Sequence, residues 1–309
     1  MATPAGTLTP TTTVSNLVQT AYDQYVRMAL RSIPVMRAIA DVKPVQQAMP
    51  GSSVVFSIYS DLAAATSTLT ETSDVSSTAL GNPSTVSVTL NEYGSAVTTT
   101  KKLNLTSFND VDAALADIIA YNAADSIDSV VASVLTGGSN AIFAGTATNR
   151  NGITSAMTIS VADIREAVTQ LRSNKALPRI GELYAAYLHP RQSADLRAES
   201  GTGGFQELTK YVERTPFVAG AVGVIEGAFI VETPRVPFVT NTGTVNVYQG
   251  IIAGREALAE ALAQDITTVI GPEIDTLRRF RTIGWYYMGG FARLREAALY
   301  RIESATSIN

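Results

Sequence analysis

The sequence predicts an α+β fold, and three patterns carry that reading. Apolar, β-branched runs recur at Ser53–Tyr59, Thr85–Leu90, Leu183–Leu188, Val222–Val231 and Val245–Ile252, each bounded by turn residues. One long stretch, Asn109–Leu135, instead places its apolar residues at helical spacing. Finally, 46% of the 309 residues are hydrophobic and only 16% are charged. A surface this short of charge tends to be a covered one, which makes self-association a fair expectation, although composition alone favours the alternative, a compact α/β enzyme with a neutral surface.

The chain opens with Met1–Thr13, rich in Thr and Pro and without an apolar period, which reads as an arm lacking its own core. Val14–Ala40 follows with helical spacing through Leu17, Val18, Tyr22, Tyr25, Val26, Ala29 and Leu30, interrupted near Ser32 by Pro34. Pro44–Thr100 contains no Lys or Arg but does contain Asp61, Glu71, Asp74 and Glu92. Its two alternating runs read as paired strands around a long excursion, Ala63–Pro83. Such a hairpin has too little apolar surface to stand alone. It is either a disordered surface loop or a segment that needs a partner surface.

In Asn109–Leu135 the apolar stripe is Val111, Leu115, Ile118, Ile119, Ile127, Val130, Val131, Val134 and Leu135. Asn109 or Asp110 can cap its start and Gly137-Gly138 ends it. At 1.5 Å per residue the helix is roughly 40 Å long. Asp112, Asp117, Asp125 and Asp128 have no basic partner within it and read as a solvated face. Ser139–Thr158 is loop-like. Ser160 with Asp163 resembles a capping box, and Ile164, Val168 and Leu171 continue a helix that must end before Pro178. Leu183–Leu188 stops at His189-Pro190, and Arg191–Glu199 is a short helix with Ala194 and Leu196 able to pack. Ala253–Ala263 has helical spacing through Ala257, Leu258, Ala261 and Leu262. Two aromatic-rich runs close the chain, Ile283–Met288 and Ala297–Ile302, separated by Gly289-Gly290.

The residues offer little for chemistry. Without cysteine there are no disulfides or thiolate metal sites. His189 is the only histidine, so any His-based nucleophile or metal site would depend on it, and before Pro190 it reads as a turn cap. There is no G-x-S-x-G and no P-loop, and the Gly201–Gly204 run follows a helix rather than a strand. Glu226 and Glu232 could act as an acid/base pair, but their spacing is not specific. No catalytic, cofactor or metal site is expected. A net charge of −4 argues against a general nucleic-acid footprint. The start lacks the features of a secretory signal and no run of 18 apolar residues exists, so a soluble protein with no membrane partner is expected.

The densest basic cluster is Arg278, Arg279 and Arg281, with Arg293, Arg295 and Arg301 close behind. A solvated face, a nucleic-acid contact and a set of partners for acidic residues all fit it. The planar guanidinium, which meets carboxylates in a bidentate way, suits the last reading. Asp61, Glu71 and Asp74 on the cation-free hairpin are then the natural counterparts, on an adjacent subunit.

The wording YLHPRQSADLR, IVETPRVPF, GREALAEA and RTIGWYYMGGFARLREAALYRIES, in that order, resembles the major capsid proteins of tailed bacteriophages. The resemblance implies the fold those proteins share with encapsulins and the floor of herpesvirus capsids. It divides the chain into an N-terminal arm and helix (1–45), an extended β-hairpin loop with the first peripheral-domain strands (46–100), a peripheral-domain spine helix (101–138), an axial domain (139–274) and C-terminal strands returning to the peripheral domain (275–309). It also implies a non-enzymatic, cofactor-free subunit that self-assembles into hexamers and pentamers of an icosahedral head around double-stranded DNA, which it touches weakly and non-specifically. Further implied partners are a separate scaffolding protein, a portal and a decoration protein, and the location is the virion, with the host cytoplasm during assembly. An encapsulin-like compartment enclosing cargo and an α/β metabolic enzyme are the alternatives. Some members of the family cross-link subunits through a lysine on the extended loop. Here none of the five lysines (Lys43, Lys101, Lys102, Lys175, Lys210) lies on it.

Overall fold

Two sheets share the chain, and each gathers strands from distant parts of it. The computed structural model describes residues 34–44, 52–75, 77–106, 111–200, 223–273 and 275–308. The expected arm and most of the expected helix at 14–40, both candidate caps of the long helix and the 201–204 glycine run lie outside them. A 3-10 turn at Met36–Ile39 leads into β1 (Ala40–Pro44), where a helix was expected to continue. β2 (Ser53–Ile58) and β3 (Ser84–Thr89) pair antiparallel, as their alternation predicts. β4 (Asn91–Thr100), α1 (Lys101–Thr106), α2 (Val111–Thr136), β5 (Ala141–Phe143), α3 (Val161–Ser173), β6 (Tyr184–Leu188) and α4 (Pro190–Ala198) follow. Thereafter come β7 (Val224–Ile225), β8 (Ala228–Glu232), β9 (Phe238–Thr240), β10 (Asn246–Ala253), β11 (Leu258–Ile270), β12 (Phe280–Arg293) and β13 (Leu299–Ser304).

One sheet has the order β1-β11-β12-β4, and the other runs β5-β13-β10-β6-β8-β7 with β9 added against β10. Strand pairing cuts across the segments 139–274 and 275–309. β11 joins the four-stranded sheet, while the last two strands part company, β12 to that sheet and β13 to the seven-stranded one. The N-terminal half of α2 lays Leu115, Ile119, Ala123 and Ile127 on Ile283, Trp285 and Tyr287 of β12. Its C-terminal half packs Val131, Ala132 and Leu135 against Ala185, Tyr187, Ile251 and Leu258, at the junction of the sheets. Leu115–Thr136 is long and apolar enough to cross a bilayer, but here its apolar stripe is core. Ile118, expected on that stripe, is exposed. A third cluster packs Ile164, Val168 and Leu171 of α3 beneath the seven-stranded sheet, and Ser160 and Asp163 cap that helix reciprocally as expected.

Three sequence expectations are corrected. Ala253–Ala263 is the last residue of β10, a turn and the start of β11, not a helix. β11 pairs with β12 from Leu258↔Arg293 to Ile270↔Ile283 and with β1 on its other edge. Leu258, Ala259, Glu260 and Ala261 are all buried, so two-sided burial erases the alternation that would have marked a strand, and ladder bonds on both edges override the local helix preference. Val222–Val231 is two strands, because Glu226 and Gly227 both take positive φ, 50° and 86°, and fold the run into a tight hairpin. Gly289-Gly290 does not end a strand; β12 runs straight through it. A Cβ on Gly290 would collide with the carbonyl oxygen of Thr89 and come within 2.9 Å of Val88 Cγ1. The missing side chain is what lets the base of the β2–β3 ribbon lie across the sheet.

Candidate functional site

The charged residues sort into those the subunit satisfies internally and those it leaves to solvent. Glu260, fully buried on β11, accepts from Arg37 Nε at 3.1 and 3.2 Å, from Arg37 Nη2 at 2.6 Å and from the Tyr287 hydroxyl at 2.9 Å. Burial beside this carboxylate pushes the Tyr287 phenol well above its ordinary range. Asp128, expected on a solvated face, is buried instead: it accepts the backbone N–H groups of Val35, Met36 and Arg37 at 3.3, 2.7 and 3.1 Å. It thereby holds the point where the N-terminal segment meets α2, and Arg235 pairs with Asp125 beside it. Glu303 is buried against Arg150, at 2.6 and 2.8 Å, and Arg301, at 2.5 Å. Burial raises its pKa most, but the two arginines outweigh burial and hold the carboxyl below its ordinary value.

Arg293 and Arg301 are also internal. Their guanidiniums donate to the carbonyls of Val134, and of Thr136 and Gly138, closing the C-terminal end of α2. His189 is the N-cap of α4: its Nδ1 accepts the Arg191 N–H at 3.2 Å. Burial, reinforced by the charge of Arg191, lowers its pKa. Glu226 pairs with Arg165 and Glu232 with Arg197, so the two carboxylates serve separate ion pairs. Among the described residues no group of three His, Cys, Asp or Glu could hold a metal ion.

The hairpin is the opposite case. Asp61, Glu71 and Asp74 are exposed, as are Tyr59, Leu62, Leu69, Val75 and Leu80, the last five at 59–75%. Asp74 turns one oxygen back to the Val75 N–H. Arg278, Arg279 and Arg281 do come together, around a cavity of about 120 Å³ at the end of the four-stranded sheet that Thr99, Lys101, Glu273 and Phe280 also line. Arg279 already pairs with Asp275 at 2.5 Å. Asp61 sits in a different cleft, of about 390 Å³, with Tyr59, Lys175, Arg255, Glu256 and Arg295 of its own chain. Sequence reasoning missed that second basic group. Its one local signal was Lys175 just past the end of a helix, where Gly is usual.

The family model described as phage capsid protein matches residues 11–308. None of the curated proteins matches the chain. Among solved structures, the capsid of cyanophage P-SCSP1u superposes with a TM-score of 0.75 at 17% identity, over 95% of both chains. The capsid of Ralstonia phage GP4 gives 0.75 at 15% identity over 99% of both chains. A native GTA particle capsid gives 0.68 at 16% identity over 94% of this chain and 96% of that one. Two interleaved sheets bridged by one long helix, an uncovered hairpin and a family match over nearly the whole length lead to one assignment: the chain belongs to the phage capsid protein family, structural components of the virion shell.

Proposed function

We propose that this chain builds its shell as hexamers and pentamers around packaged double-stranded DNA, with the hairpin and the N-terminal residues lent to neighbouring subunits. In this reading the four-stranded sheet with α2 is the peripheral domain and the seven-stranded sheet the axial domain. The observation that carries it is the hairpin itself. From Tyr59 to Leu80 it holds large apolar side chains exposed, with no cation of its own. A partner surface would remove both deficits. Of its carboxylates, the tip residues Glu71 and Asp74 are the proposed counterparts of a neighbour's Arg278, Arg279 and Arg281; Asp61, which lines a cleft with Lys175 and Arg255 of its own chain, is set apart from them. Each such contact is worth only about 0–1 kcal/mol, and repetition around a closed shell makes it matter. Scaffolding, portal and decoration proteins would be separate chains, and assembly would take place in the host cytoplasm.

Electron microscopy of the purified protein, alone and with candidate scaffolding chains, tests the proposal. Closed icosahedral particles are the expected result, and a small oligomer under all conditions would overturn it. Boiled, denatured particles are expected to run as a single band near 32.7 kDa, because there is no cysteine and no lysine between Pro44 and Thr100.

A further inference from the structure

The cleft at the root of the hairpin holds charges that the subunit has brought close without joining. Lys175 follows α3 in a Schellman turn: its N–H donates to the Arg172 carbonyl at 3.0 Å, and that of Ala176 to Leu171 at 2.9 Å. The turn requires a left-handed residue, and Lys175 takes φ 57°. Glycine would adopt it without steric cost, so the lysine is not there for the turn. Across the β10–β11 connection, Glu256 also takes φ 57° and pairs with Arg295 at 2.5 Å, while Arg255 lies beside it. Two non-glycine residues in left-handed conformations thus line one cleft, the kind of local strain that accompanies functional sites. Among the described residues, the side chains of Lys175, Arg255 and Asp61 have no ionic or hydrogen-bond partner, although all three line the same cleft.

We propose that this cleft is a latch: Asp61 closes onto Lys175 and Arg255 of its own subunit and so fixes the direction in which residues 62–83 leave the body. Asp61 lies three residues beyond the end of β2, whose partner β3 is seated on β12 with Val88 buried. The carboxylate therefore meets the two cations at the high effective concentration of a short tether, where even a solvent-exposed pair forms. Two cations for one carboxylate give the latch a stated preference for negative charge. The use made of that direction, reaching a neighbour, rests on the assembly proposed above; the latch itself is a property of the single subunit.

Carbodiimide coupling tests it on the unassembled, full-length chain, because the reagent joins a carboxylate directly to an amine in contact with it. With five lysines in the sequence the products are few. The expected product is an Asp61–Lys175 amide within one chain, reduced several-fold in about 1 M salt, where the Debye length is ~3 Å. Lys175→Gly is expected to melt at the same or a higher temperature yet to speed amide exchange in β2 and β3 about twofold to fivefold, the reach of one exposed ion pair. Arg255→Gln, which leaves the backbone alone, is expected to do the same. Absence of the Asp61–Lys175 link, its appearance between isotopically distinct chains, or unchanged exchange in both variants would overturn the latch. Failure of the assembly proposal would show separately, as an unmodified chain that forms no shells.

Discussion

The body of the subunit and its hairpin handle charge in opposite ways. In the body, carboxylates as deeply buried as Glu260, Glu303 and Asp128 are met by guanidiniums and backbone amides from residues up to 223 positions away. On the hairpin, carboxylates and large apolar side chains alike face solvent. The body is a finished object; in the proposed assembly the hairpin is half of an interaction. A protein that repeats itself over a shell needs both, because the rigid part fixes the geometry from which the incomplete part reaches.

The contrast can be broken most forcefully from the body side. Arg37→Met leaves Glu260 buried with only the Tyr287 hydroxyl, and is expected to lower subunit stability by about 3–5 kcal/mol in denaturant unfolding. A loss under 1 kcal/mol would mean that the pair is not desolvated as described. Gly290→Ala strikes the joint between the two regions. Its Cβ must displace the Thr89 carbonyl, so a cost of about 1–3 kcal/mol is expected. The variant is expected to keep native far-UV circular dichroism while particle yield falls; normal yield would show that the ribbon's crossing angle is unimportant.

Acid titration gives a smaller effect with a definite sign. The folded-state pKa of Glu303 is depressed, so its contribution is fully present above the unfolded value of about 4.3 and is lost as pH falls through the lower folded one. Glu303→Gln is therefore expected to be less stable than the parent at neutral pH, with the two stability curves converging below about pH 4. Parallel curves would exclude the linkage. Smallest per contact is Arg279→Glu, expected to lower assembly yield and to be partly rescued by Glu71→Lys, each pair contributing about 0–1 kcal/mol. Because Arg279 also holds Asp275, absence of rescue would assign its role to that internal pair.

What the sequence revealed of this arrangement follows the range of the forces involved. Local signals were legible: the alternation of β2 and β3, the stripe of α2, the Ser160–Asp163 box, and the His189-Pro190 stop ahead of α4. Signals set by distant partners were not. β11 carries helix-forming residues and becomes a strand only because β1 and β12 flank it, and Asp128 is buried only because residues 35–37 arrive to use it. Among the site residues, the Arg278–Arg281 cluster was visible as a run of like residues. The cleft of Asp61, Lys175 and Arg255 was invisible, since its members come from three separate connections between elements.

The closure of α2 has a consequence for synthesis. The helix has no basic residue in its last turn, and the guanidiniums that close its C-terminal end, Arg293 and Arg301, reach back to carbonyls 159 and 163 positions earlier in the chain. β13, which carries Arg301, also lies between β5 and β10 in its sheet. A nascent chain can thus form α2 early but cannot close its C-terminal end until β12 and β13 have been made. A chain cut short before β13 would leave the helix terminus uncapped and both β5 and β10 without the strand that lies between them.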